Sequence, residues 1–220
     1  MLIKKKIAFL FDKKNPWLLH YLPLLKKLPK KKYKYSFFKD YVKISDFEIV
    51  FVLGFTKILS ESFIKKNRIV LIIHESNLPK FKGFAPVQWQ ILRNKRNITN
   101  SLVMLGSKEK VDSGKIILQN KILLKGHELY EEIRKKQFDS TYKLIRKFLH
   151  IYPNFTTRRQ KGKSTFFRKR NSEDGKISID KNIKSQFNLL RISNNNDWPA
   201  FFLYKKNKYI LKIFKSNEIN

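Results

Sequence analysis

Uninterrupted apolar runs are the strongest pattern in this chain. Residues 7–11, 49–53 and 69–73 are each five apolar residues in succession, which is typical of strands buried on both faces of a sheet. Residues 128–151 instead repeat apolar positions near helical spacing with charges between them, and so predict a long helix. Strands that alternate with helices in this way predict an α/β fold in which helices flank a mostly parallel sheet.

Weaker patterns predict the remaining elements of the first 155 residues. Asn15 and Pro16 suit the start of a helix over 17–27, which Pro23 would kink. Pro86 is tolerated in the first turn of a second helix over 85–92. Short strands are expected at three further places, which are 35–38, 101–105 and 116–118.

The last third of the chain has a different character. Pro153 ends the long helix, and basic, turn-rich stretches follow it. Asp180 or Asn182 then suits the cap of a short helix that ends near Arg191, and a hairpin with its turn at 206–207 comes after Pro199. We therefore predict a main domain over residues 1–155 and a small helix-plus-hairpin subdomain over residues 156–220.

The charge of the chain allows two interpretations. Lys and Arg number 49 against 17 Asp and Glu, a formal net charge of +32, which by itself indicates an anionic partner such as nucleic acid. The excess is mostly lysine and is spread along the whole chain, whereas bidentate recognition of phosphate favours arginine. A solvated lysine coat is therefore the first interpretation, and a nucleic-acid partner is the second choice.

Several classes of protein are disfavoured by what the sequence lacks. The chain has no cysteine, which excludes disulfides, thiolate metal sites and cysteine nucleophiles. The histidines His20, His127 and His150 have no partners at metal-ligand spacing, so no metal site is expected. No run approaches the roughly 18 apolar residues of a membrane span, and we expect a cytoplasmic protein with no membrane partner.

Candidate chemistry lies where the run 69–73 ends. His74 follows that run, and the polar residues after it lie where the carboxyl end of a parallel strand opens into a loop, the usual ligand position in α/β sheets. Asp112 stands in a tight turn before a second apolar run. A histidine and an aspartate that meet at one sheet edge form an acid/base pair. The alternative for His74 is a purely structural hydrogen bond.

Two motifs carry a resemblance to a known family. HESNLPKFKG at 74–83, with Ala85 and Pro86, resembles the H-x-S-x-L-P-x-x-x-G-x-x-P signature of the 10-formyltetrahydrofolate-dependent formyltransferases. DSGKI at 112–116 resembles their downstream D-x-G-x-I, and the interval 112 − 74 = 38 residues is close to the family's own. The tail after residue 186 resembles the small C-terminal subdomain of the members that formylate amino-sugar nucleotides.

The resemblance implies a Rossmann-like fold of the formyltransferase type and transfer of a formyl group from 10-formyltetrahydrofolate to the primary amine of an amino-sugar nucleotide. His74 would be the acid/base group and Asp112 would orient it. Residues matching those that hold the folate are Gly54, Phe55, Ile58, Pro79, Gly83 and Val111. Residues expected to contact the acceptor are Asn15, Trp17, Asn77, Lys82, Gln88 and Arg191.

One position departs from the family pattern. The family has asparagine two residues before the histidine, where its side chain helps to hold the oxygen of the tetrahedral intermediate, and this chain has Ile72. Ser76 is predicted as a third catalytic residue that supplies the missing donor. Two alternatives stay open, which are formylation of methionyl-tRNA and a catalytically weakened homologue that binds ligands. A homodimer is also left open.

Overall fold

The structure, a computed structural model that describes residues 4–13, 15–107 and 112–216, has ten strands and five α-helices in its described part. The strands are β1 (Lys5–Phe11), β2 (Tyr33–Phe38), β3 (Ile49–Leu53), β4 (Val70–His74), β5 (Lys82–Gly83), β6 (Asn97–Met104), β7 (Lys115–Leu123), β8 (Phe166–Phe167), β9 (Ala200–Tyr204) and β10 (Asn207–Leu211). The helices are α1 (Leu22–Leu25), α2 (Glu61–Lys65), α3 (Pro86–Leu92), α4 (Tyr130–Ile151) and α5 (Ile183–Arg191).

The main sheet has six strands in the order β2-β1-β3-β4-β6-β7. The first four strands of that order are parallel, whereas β6 runs antiparallel to β4 and β7 antiparallel to β6. The predicted α/β fold with a mostly parallel sheet is therefore confirmed. Because β6 runs back along β4, it ends level with Leu71 rather than with His74.

The side chains of the apolar runs are buried on both faces of this sheet, as their pattern predicts. On one face Phe9, Phe51 and Leu71 pack with Phe148 of α4. On the other face the alternate positions of β1, β3 and β4 form a second apolar cluster with Phe63 of α2. Side chains two residues apart on a strand share a face, so Ile72 and His74 both project on this second side.

The predicted helix over 17–27 is wrong in type. The segment forms a 3-10 helix at Pro16–Tyr21 followed by the single turn α1. Pro23 lies in the first turn of α1, where its missing N–H costs no helical hydrogen bond. Asn15 precedes the 3-10 helix but makes no side-chain cap, because its Nδ2 donates to the carbonyl oxygen of Gly54.

The C-terminal elements follow the prediction with small shifts. Asn182 caps α5 by accepting from the N–H of Ser185 at 2.9 Å. The hairpin β9–β10 turns at Lys205 and Lys206, which have φ angles of 44° and 67°. The turn is thus one residue earlier than predicted.

The last third of the chain is tied to the loop that follows His74. β8 pairs in parallel with β5, and Phe81 N–H donates to the hydroxyl of Thr165 at 2.9 Å. The boundary at residue 155 stays a prediction. Residues beyond it nevertheless help to shape the surroundings of the histidine.

The longest helix is amphipathic. In α4, which has 22 residues, Phe138 and Phe148 are buried, while Lys135 and Asp139 form an exposed ion pair at 2.8 Å. Within the described ranges no helix is long and apolar enough to cross a membrane.

Candidate active site

His74 and Asp112 meet in the structure. His74 is the last residue of β4 and is 6% exposed, and Asp112 is 7% exposed. The imidazole Nδ1 lies 3.6 Å from the carboxylate Oδ1 of Asp112, which is an ionic contact just beyond hydrogen-bond distance. The other ring nitrogen, Nε2, lies 3.0 Å from the carbonyl oxygen of Phe81. Both ring nitrogens therefore face acceptors supplied by the two motif loops.

The backbone around this pair is strained. Phe81, Ala85 and Asp112 have φ angles of 63°, 48° and 53°, the left-handed region that non-glycine residues rarely adopt. Such conformations cost on the order of 1 kcal/mol each and persist where the surroundings fix them. Three of them within the two motif loops indicate that the loops are shaped for a task other than connection.

Gly83 joins the two loops. Its N–H donates to Oδ2 of Asp112 at 2.9 Å, which fixes the carboxylate on the side away from His74. Its φ of 93° and the carbonyl oxygen of Phe167, with which an added Cβ would collide, both require glycine. The prediction that Gly83 contacts the folate is not tested by this geometry.

Two further side chains hold the turn that carries Asp112. The Nε2 of Gln160 donates to the carbonyl oxygens of Asp112 and Gly114, each at 2.8 Å. Lys82, which was predicted to contact the acceptor, is buried, and its Nζ donates to the hydroxyl of Ser113 at 2.9 Å. The ammonium group of Lys82 is thus directed at the catalytic turn.

Polar contacts also fix the start of the loop after His74. The amide of Gln90 donates to the carbonyl oxygen of Glu75 at 2.8 Å, and Gln137 donates to its carboxylate at 2.6 Å. The hydroxyl of Ser101 donates to the carbonyl oxygen of Ser76 at 2.7 Å. These contacts anchor the two residues that directly follow the histidine.

Ser76 itself is fully buried. Its Oγ has no hydrogen-bond partner among the residues that the structure describes. A hydroxyl buried in this way cannot donate to a substrate unless the loop rearranges. The role of Ser76 as a donor stays a prediction, and it requires such a movement.

Ile72 occupies the position where the family has asparagine. It is only partly buried and packs both against the cluster of β1, β3 and α2 and against Leu78, Val103 and Ile116. Since it shares a face with His74, the surface beside the histidine is apolar where the family would present an amide.

A pocket of about 390 Å³ opens at the other end of the loop, and we call it the arginine pocket. Ala85 and Gln88 of the α3 start line one side, so the pocket begins two residues after Gly83. Residues from α4, from the segment 170–175 and from the hairpin region complete it. Gln88 was predicted to contact the acceptor, and it lies in this pocket.

Two guanidinium groups give the arginine pocket its charge. Arg134 is held between the rings of Trp17 and Tyr130, with its Cζ 4.7 and 4.9 Å from their centroids. Burial lowers the pKa of Arg170, and the charge of Arg134 lowers it further, although Asp174 opposes both. The Nε of each arginine is buried without a partner in the described structure. This like-charged pair is suited to an anion.

An exposed aromatic ring stands in the same pocket. Trp198 is 58% exposed and lines the pocket together with Lys208 and Asp197. An indole face in contact with solvent offers a stacking surface for a planar ring. No sequence motif marks Arg134, Arg170 or Trp198 as a binding residue. The pattern of α4 predicts only a structural helix, and the later segments are predicted only as a basic, turn-rich connection to the C-terminal subdomain.

The residues expected to hold the folate lie in three places. Gly54 and Phe55 directly follow β3. Gly54 has a φ of 55°, and the ring of Phe55 packs edge-on against the ring of Tyr41. Ile58 is 78% exposed in the same loop. Pro79 is buried in the loop after His74. Val111 lies outside the described residues.

The residues expected to contact the acceptor are divided. Trp17 adjoins the arginine pocket through Arg134, and Asn15 is engaged with Gly54. Asn77 is exposed, and its Oδ1 lies 3.5 Å from the Nε2 of Gln119. Their roles toward an acceptor are not tested by these contacts.

Arg191, which was expected to contact the acceptor, is buried. It is 1% exposed, and its guanidinium lies 3.2 Å from the carboxylate of Glu128. The residue thus ties the end of α5 to the segment before α4. Its role toward an acceptor stays a prediction.

Comparisons with known proteins agree with this geometry. Residues 5–149 match the family model described as Formyl transferase. The chain is 28% identical over 172 residues to the methionyl-tRNA formyltransferase of Thermodesulfovibrio yellowstonii, covering 77% of this chain and 54% of that protein. The chain thus spans about half the length of this curated relative.

Solved structures share the fold. A methionyl-tRNA formyltransferase from Clostridium thermocellum superposes with a TM-score of 0.80 at 19% identity, covering 97% of this chain and 95% of the other. A 4-N formyltransferase from Francisella tularensis gives a TM-score of 0.74 at 16% identity, covering 97% and 99%. The family match covers most of the chain and includes both motif loops, so this protein belongs to the formyl transferase family.

Proposed function

We propose that this protein transfers a formyl group from 10-formyltetrahydrofolate to the primary amine of an amino-sugar nucleotide. The observation that carries the acceptor assignment is the arginine pocket, which begins at Ala85, two residues from the glycine that binds Asp112. A cationic pocket this close to the acid/base pair suits an acceptor with an anionic group next to its amine.

The surface beside His74 fits a flat, largely apolar donor. Ile72, Phe55, Leu59 and Leu105 are partly buried hydrophobic side chains that cover the second face of the sheet. Of these, Ile72 shares a face with His74, and Phe55 follows β3 at the same edge of the sheet because β3 is parallel to β4. The folate supplies the formyl group, and these residues would hold its ring system.

The chain's own groups handle the proton. Transfer breaks the bond between the formyl carbon and the folate N10 and forms a bond from that carbon to the acceptor nitrogen. The acceptor amine loses one proton and N10 gains one. His74 can take the first and return the second through Nε2, which exchanges the Phe81 carbonyl for the reacting nitrogen. Asp112, 3.6 Å from Nδ1, stabilises the charged ring meanwhile.

The arginine pocket matches the remaining features of a nucleotide sugar. Guanidinium groups bind phosphate oxygens in bidentate fashion, and Arg134 and Arg170 both line this pocket. The exposed face of Trp198 can stack on a nucleobase. A neutral amino sugar would use neither feature.

The test is a panel of amino-sugar nucleotides and the matching free amino sugars, incubated with 10-formyltetrahydrofolate. We expect a mass gain of one formyl group on at least one nucleotide and on no free sugar. Arg170→Gln should raise the acceptor KM by roughly tenfold or more while kcat changes little, since a charged hydrogen bond contributes about 1.5–3 kcal/mol. Arg146→Gln, an exposed arginine on α4, is the charge-matched control. Equal use of free sugars would refute the acceptor assignment.

Methionyl-tRNA is the second candidate acceptor. The net charge of +32 favours it, and the T. yellowstonii relative carries methionyl-tRNA formyltransferase as its name. A tRNA end also presents phosphates and bases to the arginine pocket. Binding of tRNA would weaken steeply with salt because each phosphate contact releases counterions. Formylation of charged tRNA but of no nucleotide sugar would make this the function.

A further inference from the structure

A second pocket lies on the opposite part of the loop that follows His74. It has a volume of about 440 Å³ and shares no lining residue with the arginine pocket. Its walls are the loop 77–80 and the segment 158–161. We call it the basic pocket, because four of its lining side chains are Lys80, Arg158, Arg159 and Lys161 and no carboxylate lines it.

The charges of the basic pocket are not neutralised within the protein. None of its four cationic side chains forms an ion pair in the described part of the chain. Arg158 instead donates to the amide oxygen of Gln119. Four cations that converge from segments 78 residues apart (158 − 80 = 78) favour an anionic ligand with more than one charge.

The basic pocket is joined directly to the catalytic turn. Gln160 lies between Arg159 and Lys161, and its amide donates to the carbonyl oxygens of Asp112 and Gly114 at 2.8 Å. The backbone that carries Arg159 and Lys161 is therefore tied to the Asp112 turn through the side chain of Gln160. The opposite wall of the pocket is the loop that begins three residues after His74.

We propose that the basic pocket binds the carboxylate tail of the folate donor and thereby favours donors with several γ-linked glutamates. This inference rests on the proposed function, because it requires that the donor is a folate. The formyl-bearing nitrogen of such a donor must lie at His74, and a rigid aminobenzoyl spacer separates it from the glutamate carboxylates. The basic pocket lies beside the catalytic turn, at a distance that such a spacer can cover.

The acceptor is the weaker choice for this pocket. An acceptor with one diphosphate is already matched by Arg134 and Arg170 in the arginine pocket. The two pockets lie against different parts of the loop after His74, so each reactant has its own cationic site. A nucleic-acid backbone is a different ligand class, and the experiment below separates it.

The test measures binding without any acceptor. Tetrahydrofolate with one glutamate and tetrahydrofolate with three γ-linked glutamates are titrated into the protein by calorimetry. We expect the triglutamate to bind roughly tenfold more tightly, since two further carboxylates can each form exposed ion pairs worth up to about 1 kcal/mol. The preference should shrink at high salt.

Variants locate the effect. The double variant Arg158→Gln, Arg159→Gln should lose the preference, so that the two folates bind within about twofold of each other. Arg146→Gln, which removes an exposed charge elsewhere on α4, should keep the full preference. The backbone bridge between Arg158 and Ile116 is unaffected by the side-chain change, and thermal unfolding of the double variant checks that it is folded.

Four results would overturn the inference. Equal binding of the two folates by the wild type would refute it and leave the proposed function intact, as would a tail preference that survives in the double variant. Loss of tRNA retention in the double variant, without any dependence on the tail, would assign the pocket to a nucleic-acid backbone. Failure of both folates to bind would remove the donor assignment and this inference with it.

Discussion

Replacing Glu128 by glutamine tests the structural role of this buried carboxylate, which caps the segment before α4 and pairs with Arg191. Burial alone would raise the pKa of Glu128, but hydrogen bonds from the N–H groups of Lys125 and Gly126, at 2.7 and 2.9 Å, lower it to about 2. Arg191 lies 3.2 Å from the same carboxylate. The ionised form is thus the one that the fold stabilises.

The magnitude follows from that pKa. A fall from 4.5 to about 2, or 4.5 − 2 = 2.5 units, corresponds to about 3 kcal/mol at 1.36 kcal/mol per unit. Because the folded-state pKa is depressed, this stability is fully present above pH 4.5 and is lost as the pH falls toward 2. Removal of one partner of a buried ion pair has a similar cost.

The assay is urea unfolding of the wild type and Glu128→Gln between pH 3 and pH 7. We expect the variant to be about 3 kcal/mol less stable at pH 7 and the difference to narrow steadily below pH 4.5. Glu61→Gln, in an exposed pair with Lys65, should cost well under 1 kcal/mol. A difference that does not change with pH would refute the reasoning, as would an unaffected stability.

Three further predictions concern the active site. Asp112→Asn should lower kcat at least about a hundredfold with little change in folate affinity, because it removes the charge beside Nδ1 of His74; equal loss of affinity would contradict an orienting role. Burial of Ser76 reverses the expectation drawn from the sequence, so Ile72→Asn should raise kcat more than tenfold, toward the hundred- to thousandfold value of one oxyanion donor, and Ser76→Ala should change it less than about threefold; the opposite pair of results would restore Ser76 as the donor. Gln160→Ala should lower kcat roughly tenfold or more by removing two hydrogen bonds from the Asp112 turn, with the folate KM within about threefold; steady-state kinetics over pH 6 to 9 check all three, and an unchanged kcat for Gln160→Ala would show that the turn holds its shape alone.

The contact between His74 and Asp112 was predictable from sequence because both residues lie in local motifs. His74 ends an apolar run that is buried on both faces of the sheet, and Asp112 lies in a turn just before β7. The direction of β6 was not predictable. The sequence between β4 and β6 is compatible with a parallel crossover as well as with the observed antiparallel strand.

The arginine pocket shows why the acceptor side could not be predicted. Arg134, Arg170 and Trp198 come from α4, a loop and the approach to the hairpin, and only tertiary packing brings them together. The two arginines cannot be distinguished by their charge in the sequence, because the chain has 49 Lys and Arg residues. The Nε atoms of Arg134 and Arg170 are buried and have no partner among the described residues, and this too arises only from the folded structure.

The most direct test of the central claim follows a labelled formyl group. Wild type and His74→Ala are each incubated with 10-formyltetrahydrofolate that carries a labelled formyl carbon and with the acceptor panel, and tetrahydrofolate affinity is measured for both. We predict label on the acceptor amine with the wild type, at least a hundredfold less with His74→Ala, and folate affinities within about threefold of each other. Label transfer that does not depend on His74, or folate binding without transfer to any amine, would contradict an enzyme that works through this histidine.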